Sequence, residues 1–452
     1  MPRTAIPLFA LKSKGFAAWL SKQPASLKRW VKAQGFSAKP GTICAIPGQG
    51  GAISRVLAGL EEGEGPWAWC FLPGLLPKGA YRIETPLEGR AANDAALGWR
   101  LGCYAFDRYK EPKDKNGMPS LLWPKNADRQ LVEHQANAIF LVRDLVNTPA
   151  ADLGPAELAQ AAREIALKFG AKFKTIEGDA LLKANYPAIH AVGRGSAKAP
   201  LLIDMNWGEA KHPLVTLVGK GVCFDSGGLD LKPSSAMKIM KKDMGGAAHA
   251  LALAQLVMAS GLPLRLRVLI PAVENMPGPA AMRPLDVLPT RKGLTVEVGN
   301  TDAEGRLILA DALAEACRDR PQLLIDFATL TGAARSALGP ELPALFSNDD
   351  GLADALLAKG FAEADPLWRL PLWPGYRKML DSRVADLNSA PDSPFAGAIT
   401  AALFLEKFVE PEIPWIHLDL FAWNAESRPG KPGGGEAMAL RAIFCLLKDR
   451  VQ

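Results

Sequence analysis

Histidine is scarce in this chain of 452 residues, which carries only His134, His190, His212, His249 and His417. No two of them stand at the spacing of a metal-ligand pair, and there is no His-Glu-x-x-His run, which excludes a helix-borne histidine zinc site. A general base must therefore come from another kind of group. His249 and His417 lie in apolar stretches and are expected to be core or supporting residues rather than ligands. The cysteines are few and scattered without paired spacing (Cys44, Cys70, Cys103, Cys223, Cys317, Cys445). They read as free, buried thiols of a reducing compartment, not as a disulfide framework. No window approaches the ~20 apolar residues of a membrane span. The N-terminal apolar stretch is short, broken by Pro7 and followed by Lys12 and Lys14, a poor secretory signal. The expected location is cytoplasmic. Net charge is +6, too diffuse over this length to argue for nucleic acid.

Two further motifs are ruled out by what they lack. Gly219-Lys220-Gly221 has neither the four-residue gap nor the trailing Lys-Ser/Thr of a phosphate loop. Phe224-Asp225-Ser226-Gly227-Gly228 is superficially like a serine-protease nucleophile loop, but the surrounding strand-helix alternation is wrong for a double β-barrel.

What is present reads as an α/β protein of two domains. The length exceeds what one hydrophobic core usually holds, and 48% apolar with 22% charged residues is ordinary for a globular chain. A smaller α/β domain is expected over 1–125, with helices at 13–20, 52–60 and 91–104 and a strand at 42–46. A charged, breaker-rich loop covers 109–119. A helical pattern near 127–146 suggests a connecting helix over 126–146, and a larger α/β domain occupies 147–452. There, apolar strands at 188–192, 201–205, 214–218, 266–272, 323–328 and 415–420 alternate with helices at 156–169, 247–258, 309–317 and 396–408. Such alternation implies a central mixed, largely parallel sheet flanked by helices.

The most informative run is Asn300-Thr301-Asp302-Ala303-Glu304-Gly305-Arg306-Leu307, just after a strand-like stretch at 294–298. If extended backbone continues past that strand, Asp302, Glu304 and Arg306 face one side. Two acids held so close are hard to keep ionised without a cation between them. A second cluster lies upstream, where Lys220 and Asp225 follow the apolar strand 214–218 and Asp243 precedes a helix. Ligands of open α/β sheets bind at such carboxyl ends of strands. Asp225, Asp243, Asp302 and Glu304 carry enough charge to balance two divalent ions, and one carboxylate can bridge a metal pair about 3.5–4 Å apart. Lys238, Lys241 and Lys242 are expected on a solvated face.

These motifs resemble those of the leucyl (cytosol) aminopeptidases. The octapeptide Asn300 to Leu307 carries the resemblance, supported in order by Val218-Gly219-Lys220-Gly221, Phe224-Asp225-Ser226-Gly227-Gly228, Leu231-Lys232-Pro233, Lys242-Asp243-Met244, Glu274-Asn275-Met276 and Ala328-Thr329-Leu330-Thr331-Gly332-Ala333. The resemblance covers roughly Arg143 to the C-terminus, about two thirds of the chain. The resemblance implies Lys220, Asp225, Asp243 and Glu304 as ligands of one metal, and Asp225, Asp302 and Glu304 as ligands of the other. It implies Lys232 and Arg306 as catalytic residues, with Lys232 steadying the oxyanion and Arg306 holding a bicarbonate ion that shuttles the proton. The implied cofactors are two divalent ions, Zn2+ and/or Mn2+. The implied reaction is attack by a metal-bridging water or hydroxide on the scissile carbonyl of a peptide, releasing a preferably apolar N-terminal residue.

By the same resemblance Met240, Thr329 and Gly332 shape the pocket for that residue, and the assembly is a homohexamer. Leu418-Asp419-Leu420-Phe421-Ala422-Trp423 has bulky residues where members of the family more often carry small ones, which puts the selectivity of the pocket in question. Two alternatives stand beside this reading. One is a DNA-binding regulator using basic residues such as Lys12, Lys28 and Arg29; the other is a dipeptidase of narrower specificity.

Overall fold

The computed structural model describes residues 5–61, 63, 65–110 and 117–451. The chain divides into two compact units: Met1–Asn137 with Glu426–Gly433, and Ala138–Ala425 with Gly434–Gln452. The helix Arg129–Asn147 spans the division.

Among the described residues the first unit holds a five-stranded sheet. Ile53–Leu60 lies inside it, parallel to Ile6–Lys12 and antiparallel to Ile43–Pro47. The helix expected at 52–60 is therefore a strand. Residues 56–60 are buried without a break, and so continuous an apolar run carries no period to separate strand from helix. The helix Arg90–Gly102 and the strand Ile43–Pro47 form as expected. Part of the expected loop at 109–119 falls on residues 111–116, outside the described residues.

The second unit is built on a nine-stranded sheet, again counting described residues. Its centre is Trp415–Asp419, Leu323–Ala328, Leu214–Gly219 and Arg265–Asn275, mutually parallel in that order. Antiparallel strands Leu201–Trp207 and Lys172–Glu177 extend one side, and Ala344–Ser347 pairs antiparallel on the other. Every residue of Leu214–Gly219 and Leu323–Ala328 is buried, as both faces of a helix-covered sheet require. The helix Gly245–Ala259 packs so close that a Cβ on Gly246 would stand 2.1 Å from the Phe327 carbonyl oxygen. Only glycine permits that approach.

The apolar stretch expected as a strand at 188–192 is instead the helix Pro187–Gly193. Pro187 suits a first helical position, and the Asp311 carboxylate accepts the N–H groups of Ala188 and Ile189 at 2.8 and 3.2 Å. Those donors have no partner within a helix. The group that satisfies them lies more than a hundred residues away, so no local pattern reveals it.

Candidate metal centre and substrate cleft

The chemistry gathers at the carboxyl ends of the parallel strands. Lys220 sits at the break between Leu214–Gly219 and Gly221–Asp225. Its backbone N–H donates to the Phe327 carbonyl at 2.9 Å, and its carbonyl accepts from Ala247 at 2.9 Å. Strand and helix thereby hold the side chain from both sides. Gly305 packs against it, since a Cβ there would fall 2.5 Å from Lys220 Cε.

The acidic octapeptide reaches the site differently from the alternation expected of it. The strand ends at Glu297, and the helix Glu304–Cys317 begins at the second acid. The side chain of Asn300 accepts the Asp302 N–H at 2.7 Å, making a local turn. Thr301 donates its N–H to Asp230 Oδ2 at 2.7 Å and its hydroxyl to the Gly227 carbonyl at 2.6 Å. Asp302 and Glu304 are thus brought together by a clamped turn running into a helix start. Arg306, in the first turn of that helix, lines the same cleft.

Asp225, Asp302 and Glu304 offer carboxylate oxygens that all lie within 4.8 Å of one another. Asp225 Oδ1 accepts from Asn275 Nδ2 at 2.8 Å and from the Gly227 N–H at 2.9 Å. Asp243 joins through Lys220, whose Nζ stands 2.8 Å from Asp243 Oδ2 and 2.9 Å from Glu304 Oε1. Lys232 Nζ stands 2.8 Å from Asp225 Oδ2 and 2.5 Å from Asp302 Oδ1. Thr329 donates its hydroxyl to Asp243 Oδ1 at 2.8 Å, and its carbonyl accepts from Lys220 Nζ at 2.9 Å.

Burial, reinforced by the Asp225 charge, raises the Glu304 carboxyl well above the ordinary range and pushes Asp302 up to about 6. Asp243 is also buried, but the Lys220 charge outweighs that and holds its carboxyl low. Burial works against the Lys220 ammonium, yet Asp243 and Glu304 raise it overall. Arg306 is lowered to about 10 by burial.

The donor set fits divalent metals. Asp243 Oδ2, Asp302 Oδ1 and Glu304 Oε1 are buried and accept no hydrogen bond of adequate geometry. This holds although a lysine ammonium lies within 3 Å of each. Proximity here reflects charge balance; the lone pairs remain available. Carboxylate oxygens with one amine suit ions such as Zn2+ or Mn2+.

The cleft has a volume of about 580 Å3 and includes Met240, Thr329 and Gly332 in its lining. His249 and His417 are both fully buried and away from that lining. His417 Nδ1 pairs with Asp326 Oδ1 at 2.6 Å. One expectation fails. Lys238 is exposed, but Lys241 donates to the Asn147 carbonyl at 2.6 Å and Lys242 is buried in the cleft wall. The Lys-Lys pair falls in a single 3-10 turn, Met240–Met244, that presents alternate sides to the core and the cleft. Asn275, Asp230 and Thr301 hold the acids but were not singled out individually in the sequence. Asn275 and Thr301 lie within blocks that carry the resemblance and Asp230 directly precedes another, which was the one signal that could have marked them.

An acid-lined cleft with an amine donor, set at the carboxyl ends of a mixed α/β sheet, defines a metal-dependent hydrolase. Comparison with known proteins narrows the class. Residues 140–444 match the catalytic domain of the cytosol aminopeptidase family, and residues 6–121 match the M17 aminopeptidase N-terminal domain. A probable cytosol aminopeptidase of Roseiflexus castenholzii is 42% identical over 386 residues, covering 82% of this chain and 78% of the relative. One from Syntrophotalea carbinolica is 42% identical over 369 residues, covering 78% and 74%. The crystal structure of a cytosol aminopeptidase from Coxiella burnetii superposes with a TM-score of 0.96 at 51% identity, covering 100% of this chain and 98% of that one. The bottromycin maturation enzyme BotP in complex with Mn superposes at 0.89 with 34% identity, covering 99% of each. The chain belongs to the cytosol aminopeptidase family and is a metal-dependent aminopeptidase. Neither the DNA-binding alternative nor the narrower dipeptidase gains support from these matches.

Proposed function

We propose that this protein releases N-terminal residues, preferably apolar ones, from peptides, using two divalent ions held by Lys220, Asp225, Asp243, Asp302 and Glu304. The observation that carries this reading is the convergence of Asp225, Asp302 and Glu304 within 4.8 Å, with Asp243 and Lys220 completing the donor set. When bound, Zn2+ and/or Mn2+ supply Lewis-acid polarisation of the scissile carbonyl and an activated water.

The protein's own residues then position and stabilise. Lys232 pairs with Asp225 and Asp302, where Lys220 pairs with Asp243 and Glu304, and it lines the cleft. There it stabilises charge developing on the carbonyl oxygen, a role worth several kcal/mol, on the order of 3, in comparable sites. Arg306 anchors through Nη1 to the Ser389 carbonyl at 2.5 Å and turns a buried cation toward the cleft, a setting for bicarbonate acting as proton carrier. The scarcity of histidine favours such a borrowed base. Met240, Ile239 and Leu420 offer the first side chain an apolar wall, and a methionine there adapts to several shapes. The family resemblance further supports a homohexamer acting in the cytoplasm, and a division into domains at 1–125 and 147–452 joined by a helix over 126–146.

The test is turnover of a leucyl peptide and its N-acetyl counterpart by metal-loaded enzyme. The free amino terminus should be required, and cleavage should stop on chelation. Efficient hydrolysis of the acetylated peptide, or full turnover without metal, would overturn the reading.

A further inference from the structure

A buried lysine needs a counter-charge or a ligand to justify the cost of leaving water, and Lys242 has only Asp243, at the outer limit of ion pairing and shared with Lys220. Its side chain is 7% exposed, and its Nζ stands 4.0 Å from Asp243 Oδ1, beyond hydrogen-bonding reach. Closer neighbours surround that carboxylate: the Lys220 ammonium stands 2.8 Å from Oδ2, and the Thr329 hydroxyl donates to Oδ1 at 2.8 Å. Among the described residues the Lys242 ammonium makes no hydrogen bond. What it does touch is aromatic: its Nζ lies 5.2 Å from the centre of the Phe421 ring. The Arg335 guanidinium lies 5.0 Å from the centre of the same ring. Arg335 is exposed and, among the described residues, has no ion pair. Lys242, Arg335 and Phe421 all line the cleft alongside Met240, Thr329 and Gly332.

Two cations on one aromatic ring therefore border the wall expected to receive the substrate's first side chain. Cation–π attraction holds each of them there without neutralising its charge. An apolar side chain can lie against Met240 and leave Lys242 hydrated. A carboxylate on a short methylene stem does more, because its stem covers Phe421 and its oxygens meet donors that are otherwise unpaired. Charge-assisted pairs of this kind are the stronger hydrogen bonds. A basic first residue would meet two like charges.

We propose that the first-residue pocket accepts acidic side chains, glutamate above all, as well as apolar ones, with Lys242 and Arg335 as the residues that select them. The proposal rests on the aminopeptidase reading of the cleft.

The experiment compares metal-loaded, full-length enzyme on coumarylamides of glutamate, aspartate, leucine and lysine. For the wild type, kcat/KM for glutamate should lie within about tenfold of that for leucine, and lysine should be the poorest. Lys242→Met and Arg335→Gln should each lower the glutamate-to-leucine ratio about tenfold or more, chiefly through KM for glutamate. Arg335 is exposed, so its variant tests the idea even if Lys242→Met folds poorly. Brisk leucine cleavage with glutamate at less than about a hundredth of it would overturn the proposal. So would an unchanged ratio in both variants. Loss of turnover on every substrate by metal-loaded wild type would instead sink the aminopeptidase reading, and this proposal with it.

Discussion

His249 Nε2 accepts the backbone N–H of Met438 at 2.9 Å, joining the helix that follows Asp243 to a segment 189 residues further along the chain. Nδ1 meets the Gly245 carbonyl at 2.6 Å, so the ring donates on one side and accepts on the other. That arrangement needs a neutral imidazole, and burial pushes its pKa down to about 4. His249 is a strut behind the acids proposed to hold metal, consistent with the supporting role expected of it.

His249→Phe should keep the ring volume but strand the Met438 N–H, costing about 1–3 kcal/mol. Urea unfolding of the metal-free protein would measure it. The sign with pH follows from the depressed pKa. The unfolded histidine takes up its proton near pH 6.5 and the folded one only near 4. Its contribution to stability is therefore complete above about 6.5 and is lost as pH falls toward 4. Between those values the stability of the wild type should drop more steeply than that of His249→Phe, and parallel curves would refute the neutral strut.

Glu304 is 1% exposed and lies within reach of Lys220, Asp225 and Asp302. Glu304→Ala should remove a ligand common to both proposed ions. Elemental analysis of the variant should find well under the metal content of the wild type, and kcat should fall by about a thousandfold or more. Normal metal content with normal kinetics would remove Glu304 from the centre.

Arg306 bears the bicarbonate hypothesis. In carbonate-depleted buffer the wild type should accelerate when bicarbonate is restored. Arg306→Ala should lose that response and about a hundredfold in kcat. A wild type indifferent to bicarbonate would leave the arginine without this role.

Arg143 is fully buried and forks onto Glu436, with Nη2 3.0 Å from Oε1 and 3.2 Å from Oε2. Removing one member of such a pair leaves a buried charge uncompensated, so Arg143→Ala should cost about 3–5 kcal/mol. Denaturant midpoints at constant slope would show it. A shift below about 1 kcal/mol would mean that the Glu436 charge finds relief elsewhere.

The sequence by itself determined the parallel core of the second unit and the chemistry of its cleft. Strands such as Leu214–Gly219 and Leu323–Ala328 are mostly apolar, each with one polar residue (Thr216 and Asp326), so their pattern and their burial largely agree. The acids of the cleft, with Lys220 and Lys232, were legible because they occur in compact blocks, above all Asn300 to Leu307. Tertiary structure alone decided the rest, wherever a distant partner overrides local preference. Ile53–Leu60 became a strand because sheet partners flank it on both sides, and Pro187–Gly193 became a helix because Asp311 satisfies its first N–H groups. The same holds for Lys242, adjacent in sequence to exposed-looking lysines yet turned inward onto Phe421. Which way a side chain faces at the end of a short turn depends on what packs there. That neighbour, 179 positions away, is supplied by folding.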